Sequence, residues 1–138
     1  MLPFKYTCLL AFILACVSFS CVKDFFGCVC TTEFRGYAVH IATADRQPID
    51  SLVTRVTNPQ STVVYRSESS TSGGWYGTLG SYVVLTDAEK NYFTTVPDTV
   101  VFHASNREHA ITETFTFAQD DCRCHLHKVS GPDSIIVR

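Results

Sequence analysis

Two Cys-x-Cys motifs, Cys28/Cys30 and Cys122/Cys124, stand far apart in this sequence, and His125 and His127 follow directly behind the second. Thiols and imidazoles at such spacing support three chemistries. The motifs can join by disulfides and fasten distant parts of the chain, as exported domains with modest cores often do. Thiolates and imidazoles can hold zinc or copper. A Cys-x-Cys pair can also be redox-active.

Strand geometry separates these readings. If residues 122–129 are extended, Cys122, Cys124 and Leu126 point one way, and Arg123, His125 and His127 point the other. One metal ion would then have to collect Cys124 and His125 from opposite faces. Within an extended Cys-x-Cys the Cα atoms lie roughly 6.5–7 Å apart, near the limit for a direct bond. Each motif is therefore expected to find its disulfide partners on the other. Antiparallel neighbours would pair Cys28 with Cys124 and Cys30 with Cys122. Parallel neighbours would pair Cys28 with Cys122 and Cys30 with Cys124, and the sequence does not choose. The metal alternative uses Cys28, Cys30, Cys122, Cys124, His125 and His127; separately, His125 and His127 share a strand face and can chelate a metal if His40 or His103 supplies a third ligand. No carboxylate-rich partner motif accompanies it, so the expectation is no metal and no cofactor.

Other candidates carry less chemistry. Asp120-Asp121 beside Arg123 reads as a solvated turn. Ser67 to Ser72 reads as a hairpin tip. Trp75-Tyr76, beside Gly73-Gly74, either caps one end of a core or offers rings to a glycan or protein partner. There is no Gly-x-Ser-x-Gly elbow and no Gly-rich phosphate loop. No nucleophile–base–orienter set is visible, so the chain is expected not to be an enzyme.

The elements that position these residues read as strands. In residues 31–138, 32 of 108 positions are Thr, Val or Ile, side chains that suit a pleated, half-buried surface. Apolar residues alternate at Tyr37, Val39 and Ile41, and again at Ile111, Phe115 and Phe117. Shorter runs stand at 52–56, 63–65, 100–102 and 134–137. Tyr82-Val83-Val84-Leu85 is apolar on both faces and reads as a central strand. Turn signals separate the runs at 45–48, 58–59, 97–98 and 130–133. Asp87 to Asn91 reads as one helical turn. The expectation is an all-β, Greek-key-type sandwich of about seven or eight short strands.

At 138 residues the chain is about one domain's worth. Its 11 Lys+Arg against 13 Asp+Glu exclude a basic nucleic-acid footprint. With 46% apolar and 17% charged residues, it is not of disordered composition. The N-terminus has the shape of an export signal: Lys5, then an uncharged run over residues 6–22 around Leu9, Leu10, Phe12, Ile13 and Leu14. Ser18-Phe19-Ser20-Cys21, followed by Val22-Lys23-Asp24, resembles a bacterial lipobox. Ile13-Leu14-Ala15-Cys16 competes with it. Cleavage before Cys21 leaves Cys28, Cys30, Cys122 and Cys124 as an even set, whereas cleavage before Cys16 leaves an odd thiol. Cys21 is therefore the expected lipidation site. The expected organisation is a signal peptide over 1–20, a tether over 21–30 and the sandwich over 31–138.

Several short motifs resemble the carboxypeptidase-regulatory-like, transthyretin-type sandwiches of small bacterial lipoproteins. They are the opening strand with Gln47-Pro48-Ile49, Val56 on the second strand, and Gly80-Ser81-Tyr82-Val83. Cys30 to Arg35, Asp121 to His125 and Lys128 to Pro132 are similar too. Arg46 departs from the pattern, standing where the family usually has Gly. The resemblance implies an accessory, non-catalytic domain. Together these readings predict a lipid-anchored structural or interaction module of the bacterial cell envelope, at the outer membrane on its periplasmic or surface side. Its partners would be the membrane, through the lipid, and an envelope protein or glycan, with no nucleic acid. The runner-up is a periplasmic metal-binding protein built on the cysteine and histidine cluster.

Overall fold

The computed structural model describes residues 27–69 and 78–138. The chain divides into two compact units, Met1–Cys30 and Thr31–Arg138. Among the described residues the second unit holds eight strands in two sheets. They are β1 (Gly36–Thr43), β2 (Val53–Thr57), β3 (Val64–Ser69), β4 (Ser81–Thr86), β5 (Asp98–Ser105), β6 (Ala110–Gln119), β7 (Leu126–Ser130) and β8 (Ser134–Val137). One sheet runs β4-β1-β8 and the other β3-β2-β5-β6-β7. All neighbours are antiparallel except β1 and β8. The fold is the expected all-β sandwich.

Alternation builds its core. Val100, Phe102 and Ala104 on β5 are buried while Thr99, Val101 and His103 are not. The register sets Val100 against Phe115 and Ala104 against Ile111, so β5 and β6 present one apolar face. Val39 and Ile41 on β1 and Tyr82 and Val84 on β4 supply the opposing layer. Phe102 meets Phe115 edge-on at 6.0 Å, and Phe117 meets Phe93 at 6.3 Å, both favourable aromatic arrangements. The run at Tyr82–Leu85 corrects one expectation. It is fully buried, yet among the described residues β4 ends its sheet and pairs only with β1. Packing against β2, β3 and the following helix covers it, not a second strand neighbour.

That helix is a 3₁₀ turn, Asp87–Tyr92, where a helical turn was expected. Thr86 caps it: its Oγ1 accepts from Ala88 N at 3.2 Å, while Glu89 Oε2 accepts from Thr86 N at 2.8 Å. This reciprocal cap satisfies donors that the helix start leaves open. Arg66 on β3 pairs with the other Glu89 oxygen and with Glu68.

The motifs behind the family resemblance meet in space. Tyr82 donates its hydroxyl to Ile49 O at 2.7 Å and accepts from Leu52 N at 3.3 Å. Gly80 O accepts from Ile41 N at 2.8 Å. At Gly80 the backbone φ is +73°, and an added Cβ would come within 2.8 Å of both Ile41 O and Pro48. Only glycine fits there. Gly131 is likewise required, because a Cβ at its φ of +123° would fall on the Phe115 ring.

Arg46 carries a φ of +61°. This left-handed conformation is one that glycine adopts without steric cost. For a side chain bearing Cβ it costs roughly 1–2 kcal/mol, partly offset by glycine's greater unfolded-state entropy. Arg46→Gly is therefore expected to raise stability by about 0.5–1 kcal/mol, read as a higher midpoint in thermal unfolding. An unchanged or lower midpoint would contradict the strain assignment.

Candidate functional site

The residues with chemistry gather where the segment before β1, the end of β4 and the start of β7 converge. Residues 122–125 are not strand, contrary to expectation. They form a tight loop, and β7 begins only at Leu126. Asp120 is the cause. Its Oδ1 accepts from Cys124 N at 2.7 Å, its Oδ2 from His125 N at 3.2 Å, and its carbonyl from Arg123 N at 2.8 Å. A short acidic side chain that binds nearby backbone N–H groups competes with extended pairing. Arg123 turns to a φ of +55° to close the loop. Asp120 thus holds the loop together rather than merely solvating a turn. Lys90 Nζ fastens it further by donating to Cys124 O at 3.0 Å.

The loop separates side chains that an extended strand would have aligned. Cys122 is exposed and Cys124 is buried; His125 is buried and His127 is exposed. His125 and His127 therefore do not share an exposed face. His125 is 5% exposed, with both ring nitrogens engaged. Nδ1 lies 2.7 Å from Asp87 Oδ2, and Nε2 lies 3.0 Å from Thr31 Oγ1.

Asp87 organises this cluster. It opens the 3₁₀ helix directly after β4 and is 7% exposed. Its Oδ2 accepts from Arg35 N at 2.9 Å and its Oδ1 from Leu126 N at 2.8 Å. Its own N donates to Arg35 O at 2.9 Å. One carboxylate thereby clamps the strand-entry segment, the histidine and the first residue of β7. Burial pushes the Asp87 carboxyl pKa up. The Arg35 N–H, His125 and the Leu126 N–H together outweigh burial and hold it below its ordinary 3.8. Tyr37 adds a bond from its hydroxyl to Leu126 O at 2.9 Å.

Sequence reasoning missed this Thr31–His125–Asp87 chain. Asp87 was read only as part of a helical turn and Thr31 only as part of a resemblance. The partners are 38 and 94 residues from His125, so local spacing carries no sign of them.

Cys28, Cys30, Cys122 and Cys124 are all disulfide-bonded, giving two disulfides. In that state they offer no thiolates to a metal. Among the described residues no three His, Cys, Asp or Glu side chains are grouped to hold one. His40 lies beside Gly80. His103 sits outside this cluster, with Nδ1 3.2 Å from Thr112 Oγ1. Trp75, Tyr76, Gly73 and Gly74 lie outside the described residues, as do Ser70–Ser72, the segment 1–20 and Cys21. Comparison with protein-family models, curated proteins and solved structures finds no match to this chain.

Proposed function

We propose that this chain is an exported, lipid-anchored, non-catalytic β-sandwich serving as a structural or interaction module at the bacterial cell envelope. The observation that carries the reading is the oxidised state of Cys28, Cys30, Cys122 and Cys124. Structural disulfides persist outside the reducing cytosol, so the domain belongs in an exported compartment. The uncharged run after Lys5 supplies the export signal, and Ser20-Cys21 supplies the lipid attachment point. The contact of the Gly80-Ser81-Tyr82 motif with the Pro48-Ile49 turn is in keeping with a transthyretin-type accessory domain. Its partner at the envelope would be a protein or a glycan.

Mass spectrometry of the membrane-associated protein tests the anchor. Residues 1–20 are expected to be absent and Cys21 to be acylated. Each buried CH₂ contributes about 0.8 kcal/mol, so two chains hold a protein stably. Cys21→Ser is expected to move the protein from the membrane to the soluble fraction. A lipid on Cys16, or an intact Met1, would overturn the reading.

A further inference from the structure

We propose that Thr31 is a base-activated hydroxyl that accepts an acyl group from an oxyester. This goes beyond the envelope-module reading and does not rest on it. The geometry has the three parts that activation needs: a hydroxyl, a base within hydrogen-bond reach and a group that orients the base. Thr31 Oγ1 is 3.0 Å from His125 Nε2, and His125 Nδ1 is 2.7 Å from Asp87 Oδ2.

Protonation follows from the hydrogen bonds. A carboxylate accepts only, so Nδ1 carries the proton towards Asp87. In the neutral ring Nε2 is then the acceptor, and Thr31 donates to it. Two backbone N–H groups already hold the Asp87 carboxylate, from Arg35 and Leu126. The ring is therefore fixed in both orientation and tautomer. His125 is buried while Thr31 is exposed, so the base is shielded but the hydroxyl is open to a reagent.

The step balances without any further co-reactant. Thr31 Oγ attacks the ester carbonyl carbon, and its proton passes to His125 Nε2. The new Oγ–C bond forms as the C–O bond to the leaving alcohol breaks. The alcohol departs with the proton returned by His125. Acyl-Thr31 and the free alcohol are the products.

The same molecule carries its own controls. Thr112 on β6 has a histidine but no carboxylate behind it: its Oγ1 lies 3.2 Å from His103 Nδ1, and among the described residues no carboxylate bonds His103. Thr114, on the same outer face, is exposed and has no histidine bonded to it among the described residues. A positioned base contributes roughly 10²–10⁴-fold.

The disulfide-intact mature protein is treated with p-nitrophenyl acetate, and acetylation is followed by peptide mass spectrometry. Thr31 is expected to acetylate at least about 100-fold faster than Thr114, with Thr112 between them. Thr31→Ser should keep the fast site, because it keeps the oxygen. Thr31→Val should abolish it, and Thr31 is exposed enough for that variant to fold. A structural hydrogen bond alone would give no such selectivity. Acetylation of Thr31 no faster than that of Thr114 overturns the proposal. Release of p-nitrophenolate beyond one equivalent, lost in Thr31→Val, would support the site and overturn the non-catalytic reading instead.

Discussion

Asp87→Asn is expected to cost about 2–3 kcal/mol of folding stability, because a buried donor is left unmet where a carboxylate accepted it. The reason is a count of donors. Three N–H groups converge on this carboxylate: Arg35 N, Leu126 N and His125 Nδ1. Asparagine keeps one accepting oxygen and turns an NH₂ towards at least one of them. A buried donor is left facing a donor, and each unmet group costs about 1–3 kcal/mol. Against a typical total of about 5–15 kcal/mol, this is a large fraction. Chemical denaturation of wild type and variant measures it, and a loss under about 1 kcal/mol would contradict the assignment of Asp87 as the clamp. Thr31→Val takes away the partner of His125 Nε2, whose place water can fill at this exposed position, and should cost about 1 kcal/mol. Acid gives a second readout. The folded carboxyl titrates below its ordinary 3.8, so its contribution is complete above roughly pH 4 and is lost as pH falls through the folded value. Wild type should therefore lose stability below pH 4 more steeply than Asp87→Asn. Parallel acid profiles would contradict the linkage.

The strands were legible because their signal is local. Alternation at Tyr37–Ile41 and Ile111–Phe117 needs only neighbouring residues to show a face, and both runs lie in β1 and β6. The same logic fails at residues 122–125. A two-residue period assigns faces there, but the Asp120 side chain captures two N–H groups and folds the segment into a loop. His125 then goes inside and His127 outside. An acidic residue four positions before Cys124 was the available clue, and it was read as a charge rather than as an acceptor. Burial of His125 depends on Asp87, which the end of β4 delivers from the other sheet. No spacing rule reaches across that distance. Arg46 was noted only as a departure from a resembled turn, and its left-handed backbone was not foreseen.

Removing both disulfides, by Cys→Ser at positions 28, 30, 122 and 124, is expected to cost about 4–5 kcal/mol, nearly all from the first long bridge. The expectation rests on which cysteines join. All four are oxidised, and the Cys122–Cys124 segment is a loop, so strand geometry no longer bars a bond within that motif. We propose, from the sequence spacing, bonds between the motifs. Thr31, which follows Cys30, is held 3.0 Å from the ring of His125, which follows Cys124. A bridge between the motifs closes a loop of roughly 90–100 residues and removes much unfolded-state entropy, whereas one within a motif closes almost none. A second bridge between the same segments adds little, because the first has already closed the long loop. A non-reducing peptide map decides the pairing: peptides with Cys28 and Cys30 should travel with those holding Cys122 and Cys124, and part on reduction. Denaturation of the four-serine variant then measures the cost. A map in which each motif closes on itself, together with a loss under about 1 kcal/mol, would remove the bridges from any account of stability. The Asp87 clamp would then be left to hold residues 31–35 against the start of β7 by hydrogen bonds alone.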